Sequence, residues 1–149
     1  MIVNKARPAD LAGVMALEAE GFEATEAWTE RAWAEEFEGG DRFVLIGRQG
    51  GEIMAAATYQ LVADTADMHR ILVAKKYRGQ GLAAALITPG LTWAKHNGAT
   101  RMMLEVRTDN EFAIRLYRRF GFVDIATRPN YYGPGLDALV MTRGLGDIE

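Results

Sequence analysis

A chain of 149 residues that is 49% apolar and 25% charged has the length of one domain and the make-up of a packed one, which excludes wholesale disorder. Its net charge of −3 argues against a direct nucleic-acid partner held by bulk electrostatics, and the absence of cysteine removes disulfides, thiolate nucleophiles and cysteine-based metal sites. Only His69 and His96 remain as imidazoles, so no metal is expected. With no apolar run of about 18 residues and no signal-peptide core in "MIVNKARPAD", neither is a membrane, and the reading is a soluble cytoplasmic protein.

In chain order, "MIVNKA" reads as a first strand. "ADLAGVMALEAEGF" sets Leu11, Val14, Met15 and Leu17 or Glu18 around a helix that starts near Asp10 and stops at Gly21. "TERAWAEEFEGG" is a second helix, capped by Thr29 and ended by Gly39-Gly40. "RFVLIGRQGGEIMAAATYQLV" is a hairpin turning at Gln49-Gly50-Gly51, and a further strand covers Ala66 to Val73. A helix is expected from Leu82 to His96, closed by Asn97-Gly98. Pro89 lies inside it, where a missing N–H costs about 3 kcal/mol in a regular helix, so a kink is expected. "RMMLEVR" alternates, with Met102, Leu104 and Val106 on one face and Met103 and Glu105 on the other. A helix from Glu111 to Phe120 follows, with Asn110 as N-cap and Gly121 as stop, and "GFVDIAT" and "LDALVMT" close the chain as strands. The order β-α-α-β-β-β-α-β-α-β-β predicts one domain over residues 1–149 of α/β class in the α+β sense, its sheet mixed and mostly antiparallel around a central β-α-β unit.

The stretch "YRGQGLAAAL" puts a glycine loop directly before a helix. The first N–H groups of a helix lack partners, the helix dipole adds roughly half a positive charge there, and glycine lets a ligand reach the backbone. These are the makings of a phosphate seat. A P-loop needs G-x-x-x-x-G-K-[ST], which is absent. Gly79-Gln80-Gly81-Leu82-Ala83-Ala84 does read G-x-G-x-x-A, the dinucleotide fingerprint. However, Ala74 to Arg78 separate it from the strand, and Glu105 lies well beyond the expected position of the acidic residue.

The whole block "ILVAKKYRGQGLAAALI" resembles the acetyl-CoA motif of the GNAT superfamily of N-acetyltransferases, whose signature [QR]-x-x-G-x-[GA] reads here Arg78-Gly79-Gln80-Gly81-Leu82-Ala83. "LEVRTDNEFAIRLYRRFGF", "RPNYYGPGLDALVM" and "AWTERAWAEEF" are similar to segments of the bacterial ribosomal-protein-alanine N-acetyltransferases and their N-terminal acetyltransferase relatives. The resemblance implies acetyl-CoA as cosubstrate and, as acceptor, the N-terminal segment of a protein, a ribosomal protein first among them. It implies that backbone N–H groups of Gly79 to Ala84 hold the pyrophosphate, and that Ile71, Leu72 and Val73 pair with the pantetheine arm and meet the acetyl carbonyl. Asn110 becomes a cofactor contact besides a cap.

Acetyl transfer to an amine needs no covalent nucleophile. A peptide α-amine has a pKa of about 7.7–8.0 against about 10.4 for lysine, so it is neutral a few hundred times more often and needs only a weak base. Glu105 is a carboxylate on the central strand, and in the resembled family the matching glutamate is the proposed base. An exposed strand glutamate, or one paired with Arg107 or Arg70, is the bland alternative. Tyr117 shares a helical stripe with Phe112 or Ala113, Leu116 and Phe120, which by itself suggests packing. The resemblance makes it the general acid for the thiolate. Tyr131 and Tyr132 are expected to wall the peptide site, or else to pack on the sheet; Trp28 is a candidate cover for the same groove but is expected to do no more than pack. The Tyr132–Asp137 loop is short beside the family pattern, which bears on substrate choice. Two other functions stay open: a GNAT acting on lysine or a small amine, and a non-catalytic acyl-CoA binder.

Overall fold

The alternating stretch Arg101–Arg107 becomes the strand at which the sheet changes direction, in a computed structural model that describes residues 1–21 and 26–149. The elements run β1 (Ile2–Lys5), α1 (Leu11–Gly21), α2 (Glu30–Glu38), β2 (Arg42–Gln49), β3 (Glu52–Val62), β4 (Thr65–Val73), α3 (Leu82–His96), β5 (Arg101–Arg107), α4 (Glu111–Arg119), β6 (Val123–Arg128) and β7 (Ala138–Gly144). The strands form one seven-stranded sheet in the order β1-β2-β3-β4-β5-β7-β6. Every neighbouring pair is antiparallel except β4 and β5, which α3 joins as the expected central β-α-β unit.

Local chemistry accounts for most boundaries. Thr29 accepts the Ala32 N–H at 3.1 Å and starts α2, and Asn110 accepts the Ala113 N–H at 3.2 Å and starts α4. Gly39 ends α2 as expected, in an extended conformation with φ −69°, where its missing side chain provides room for Arg42. The stop expected for α1 at Gly21 borders residues 22–25, which lie outside the described residues.

Helices cover the sheet on both faces. α1 and α2 bury Val14, Leu17 and Trp33 against Val44, Ile46, Ala56 and Leu72. α3 and α4 bury Leu86, Ile87, Leu91, Ile114 and Tyr117 against Leu45, Tyr59, Met102, Leu104 and Met141. Of the α4 stripe, Ala113, Leu116 and Phe120 pack on this core, whereas Phe112 faces solvent at 65% exposure. α3 runs unbroken through Pro89. Proline takes away the N–H that would bond the Ala85 carbonyl. Next to that site the fully buried Tyr59 donates its hydroxyl to the Leu86 carbonyl at 2.8 Å. Gly90 makes this possible, since a Cβ there would lie 2.2 Å from Tyr59 Cζ. The Pro89-Gly90 pair thus admits a tyrosine from the sheet.

Candidate active site

The glycine loop leads from the end of β4 into α3. Gly79 and Gly81 have φ of +81° and +77°, and side chains there would meet nothing within 4 Å, so the backbone conformation is what requires glycine. Gly81 is the N-cap of α3, and no side chain caps the helix. The N–H groups of Leu82, Ala83 and Ala84 therefore open the helix without intrahelical acceptors, at the positive end of a 15-residue dipole. Arg78 turns its Nε toward the Val73 carbonyl at 3.4 Å, and Gln80 is exposed. Such a start can seat a phosphate.

Beside the loop the sheet opens. β4 and β5 pair only from Thr65↔Arg101 to Met68↔Leu104, although β4 continues to Val73 and β5 to Arg107. The β5-facing edge of Ile71, Leu72 and Val73 is thus without a neighbouring strand among the described residues, while β3 holds their other edge through Ala57, Ala56 and Ala55. That edge can pair with an amide-bearing chain lying along it. The β3–β4 register slips at the same height: Thr58 pairs with Arg70 and Tyr59 with Met68, which leaves His69 as the extra residue of a bulge. The bulge lets His69 and Arg70 both reach the α1–α2 face. His69 Nδ1 lies 2.6 Å from Glu36 Oε1, and Arg70 Nη2 donates to Glu18 Oε2 at 2.5 Å.

On that face, at the point of separation, lies a cleft of about 440 Å³. Trp28, Asp67, His69, Glu105, Tyr131 and Tyr132 wall it, over Met68 and Leu104. Glu105 is 29% exposed; Arg128 Nη1 approaches its Oε1 at 3.8 Å, and its Oε2 is buried without a hydrogen-bond partner among the described residues. The alternative partners named from sequence are engaged elsewhere, Arg107 with Glu26 and Asp109 and Arg70 with Glu18. Tyr131 and Tyr132 meet edge to face at 5.0 Å and share the cleft with Glu105. Burial first, then the Glu105 charge, pushes the Tyr132 phenol up to about 12 and raises that of Tyr131. Their short loop is tied internally: Asn130 Oδ1 accepts the Gly135 N–H at 2.7 Å, and Asp137 Oδ1 the Asn130 N–H at 2.9 Å.

Tyr117 is not in that cleft. It points from α4 into the core on the other face, 6% exposed, with its ring 6.1 Å from Phe122. Burial, with a smaller effect from the neighbouring Tyr132, raises its pKa and keeps it protonated. Glu105 and Tyr117 therefore stand on opposite faces of the sheet, Glu105 directly after the last β4–β5 pair. Asn110 caps α4 through its Oδ1 alone, which leaves its amide nitrogen outside the cap.

Four features of the cleft escaped the sequence reading. Trp28 does more than pack: it lines the cleft, stacks under Arg70 at 5.0 Å and has its N–H held by Glu18 at 3.0 Å. Asp67 lines it too, with a pKa raised by burial and by the Glu105 charge, against the lowering effect of His69. His69 is held by Glu36, whose carboxylate is 5% exposed and also accepts from Thr58 at 3.1 Å and Arg42 at 2.5 Å. Burial alone would raise the Glu36 pKa, but the bonds and charges of His69 and Arg42 bring it below the usual value. Glu18, 1% exposed, anchors Arg70, Trp28 and Trp33. The signal was in "DMHRIL", where two polar residues in a row break the alternation of a buried strand. Among the described residues no group of three or more His, Cys, Asp or Glu could hold a metal ion, and no helix is long and apolar enough to cross a membrane.

The description "Acetyltransferase (GNAT) family" belongs to the family model that matches residues 11–122. A Mycobacterium tuberculosis (strain ATCC 25618 / H37Rv) protein named N-alpha-acetyltransferase RimI is 33% identical over 136 residues, covering 88% of this chain and 84% of that protein. An uncharacterised Mycobacterium leprae (strain TN) protein is 32% identical over 148 residues; the match covers 96% of this chain, which spans only 40% of that relative's length. The crystal structure of the ribosomal-protein-S18-alanine N-acetyltransferase from Escherichia coli superposes with a TM-score of 0.89 at 28% identity, over 99% of this chain and 97% of that one.

Proposed function

The chain belongs to the acetyltransferase (GNAT) family, and from that premise we propose that it moves acetyl from acetyl-CoA to the N-terminal α-amine of a protein. A ribosomal protein beginning with alanine is the first acceptor to test. The observation that carries this reading is the parting of β4 and β5 after Met68 and Leu104, with the uncapped start of α3 at one end of the gap and Glu105 at the other.

In this reading the N–H groups of Gly79, Gln80, Gly81, Leu82, Ala83 and Ala84 grip the pyrophosphate at the helix start, with Arg78 alongside. The bare edge of Ile71, Leu72 and Val73 pairs with the pantetheine arm and offers N–H groups to the acetyl carbonyl. Asn110 fixes the start of α4 on the cofactor side. When bound, acetyl-CoA supplies an activated acyl carbon and a thiolate leaving group. Tyr131 and Tyr132 hold the first residues of the acceptor, and Glu105 takes a proton from its nitrogen, directly or through water. Tyr117, kept protonated by burial, reprotonates the sulfur from the other face of the sheet. In this reading the amine approaches from the Glu105 face of the gap and the sulfur leaves toward the Tyr117 face.

The test is intact-mass analysis after incubation with acetyl-CoA and two peptides, one alanine-first with a free α-amine, one α-blocked with an internal lysine. Acetyl on the first alone supports the reading. Acetyl on the second alone assigns the chain to lysine or small amines, and coenzyme A binding without any product makes it an acyl-CoA binder.

A further inference from the structure

The cleft holds an imidazole that the steps above leave unused. Making an amide from an ammonium and a thioester strips two protons from the nitrogen. The first must leave before the nitrogen has a lone pair to attack with; the second leaves as the C–N bond forms and the C–S bond breaks. One proton returns to the thiolate, and one is released to solvent. Glu105 serves one removal, so the other lacks an acceptor.

His69 has the surroundings of one. Glu36 is held as a carboxylate by Arg42 and Thr58, so the 2.6 Å contact requires Nδ1 to carry the hydrogen and donate it. That leaves Nε2 as the lone-pair nitrogen, and it has no hydrogen-bond partner among the described residues. The ring is 27% exposed, lines the cleft with Glu105, and stands 6.5 Å from Trp28. A buried anion behind an imidazole fixes its tautomer and the orientation of its ring. The other charged or titratable groups facing it are Asp67 on its own strand, Glu105 on β5, the Arg70–Glu18 pair, and Tyr131 and Tyr132 from the loop.

Resting on the acetyltransferase reading, we propose that His69 Nε2 takes the first proton from the acceptor's ammonium and passes it to solvent, with Glu36 as the positioning residue that aims the ring. The enzyme then draws on the ammonium form of its acceptor as well as the neutral form. With an α-amine pKa of about 8, only about one acceptor in ten is neutral at pH 7.

The decisive comparison is kcat/KM for an alanine-first peptide at pH 7 and pH 9 in wild type and H69N. The asparagine amide keeps a donor for Glu36 and offers no lone pair at the Nε2 position. The expected result is a loss of up to about tenfold at pH 7 that shrinks below about twofold at pH 9, where the amine is already neutral. An equal loss at both pH values is what a purely structural role would produce, and it or no loss at all overturns the proposal. Should H69N lose coenzyme A binding, H69A assayed with free imidazole decides: restored turnover at pH 7 supports the relay, and none refutes it. A wild-type protein that acetylates no amine at any pH refutes the acetyltransferase reading instead, a result that does not involve His69.

Discussion

Replacing Tyr117 with phenylalanine separates a catalytic phenol from a core aromatic. The ring is 6% exposed and packs on Phe122, and its hydroxyl has no hydrogen-bond partner among the described residues. Phenylalanine therefore fits the same space, and stability should change by less than about 1 kcal/mol. If the hydroxyl protonates the leaving thiolate, its removal takes away general-acid help worth about 10²- to 10⁴-fold. That corresponds to about 2.7–5.4 kcal/mol of barrier at 1.36 kcal/mol per tenfold. The assay is release of free coenzyme A thiol with an alanine-first peptide, alongside calorimetric titration of coenzyme A. We expect kcat to fall by that factor, with coenzyme A affinity and melting temperature unchanged. Because burial raises the Tyr117 pKa, the wild-type rate should show no alkaline fall from this residue across the ordinary assay range. A variant with kcat within about threefold of wild type would leave Tyr117 as packing and refute the assignment.

Gly81→Ala places a side chain at φ +77° in open space, so its cost is purely conformational, about 1–2 kcal/mol. It should weaken coenzyme A binding about 5- to 30-fold and leave the peptide KM alone, as titration and steady-state kinetics would register. Gly90→Ala drives a Cβ to 2.2 Å from Tyr59 Cζ and threatens the Tyr59–Leu86 bond. Overpacking of about 1–3 kcal/mol outweighs the gain in helix propensity, so the melting temperature should drop by several degrees, and a rise would contradict this packing. Glu36 has a folded pKa below its usual 4.5, so its contribution to stability is complete above that value and lost as pH falls through the lower one. Glu36→Gln should accordingly lower the melting temperature at pH 7, with the gap to wild type narrowing below about pH 4 in a thermal scan.

The outline of this protein was written in local patterns. The alternation of "RMMLEVR", the caps at Thr29 and Asn110, and the Gly50-Gly51 turn depend on neighbours a few residues away. So does Arg78-Gly79-Gln80-Gly81, because the positive φ of its glycines and the uncapped helix start that follows depend on adjacent residues alone, and such a start can seat an anion. Sequence also set Glu105 and Tyr117 on their elements. What it left open was their relation: that they face opposite sides of the sheet beside a gap where β4 and β5 stop pairing. The gap is a matter of register between strands joined by α3, and no short pattern encodes it. The cleft is more strongly tertiary still. His69 meets Glu36 across 33 positions and Arg70 meets Glu18 across 52, and a single bulge turns both toward the same face. Local preference chose the strands and helices; the energy of satisfying buried carboxylates from distant parts of the chain chose what lines the place where they meet.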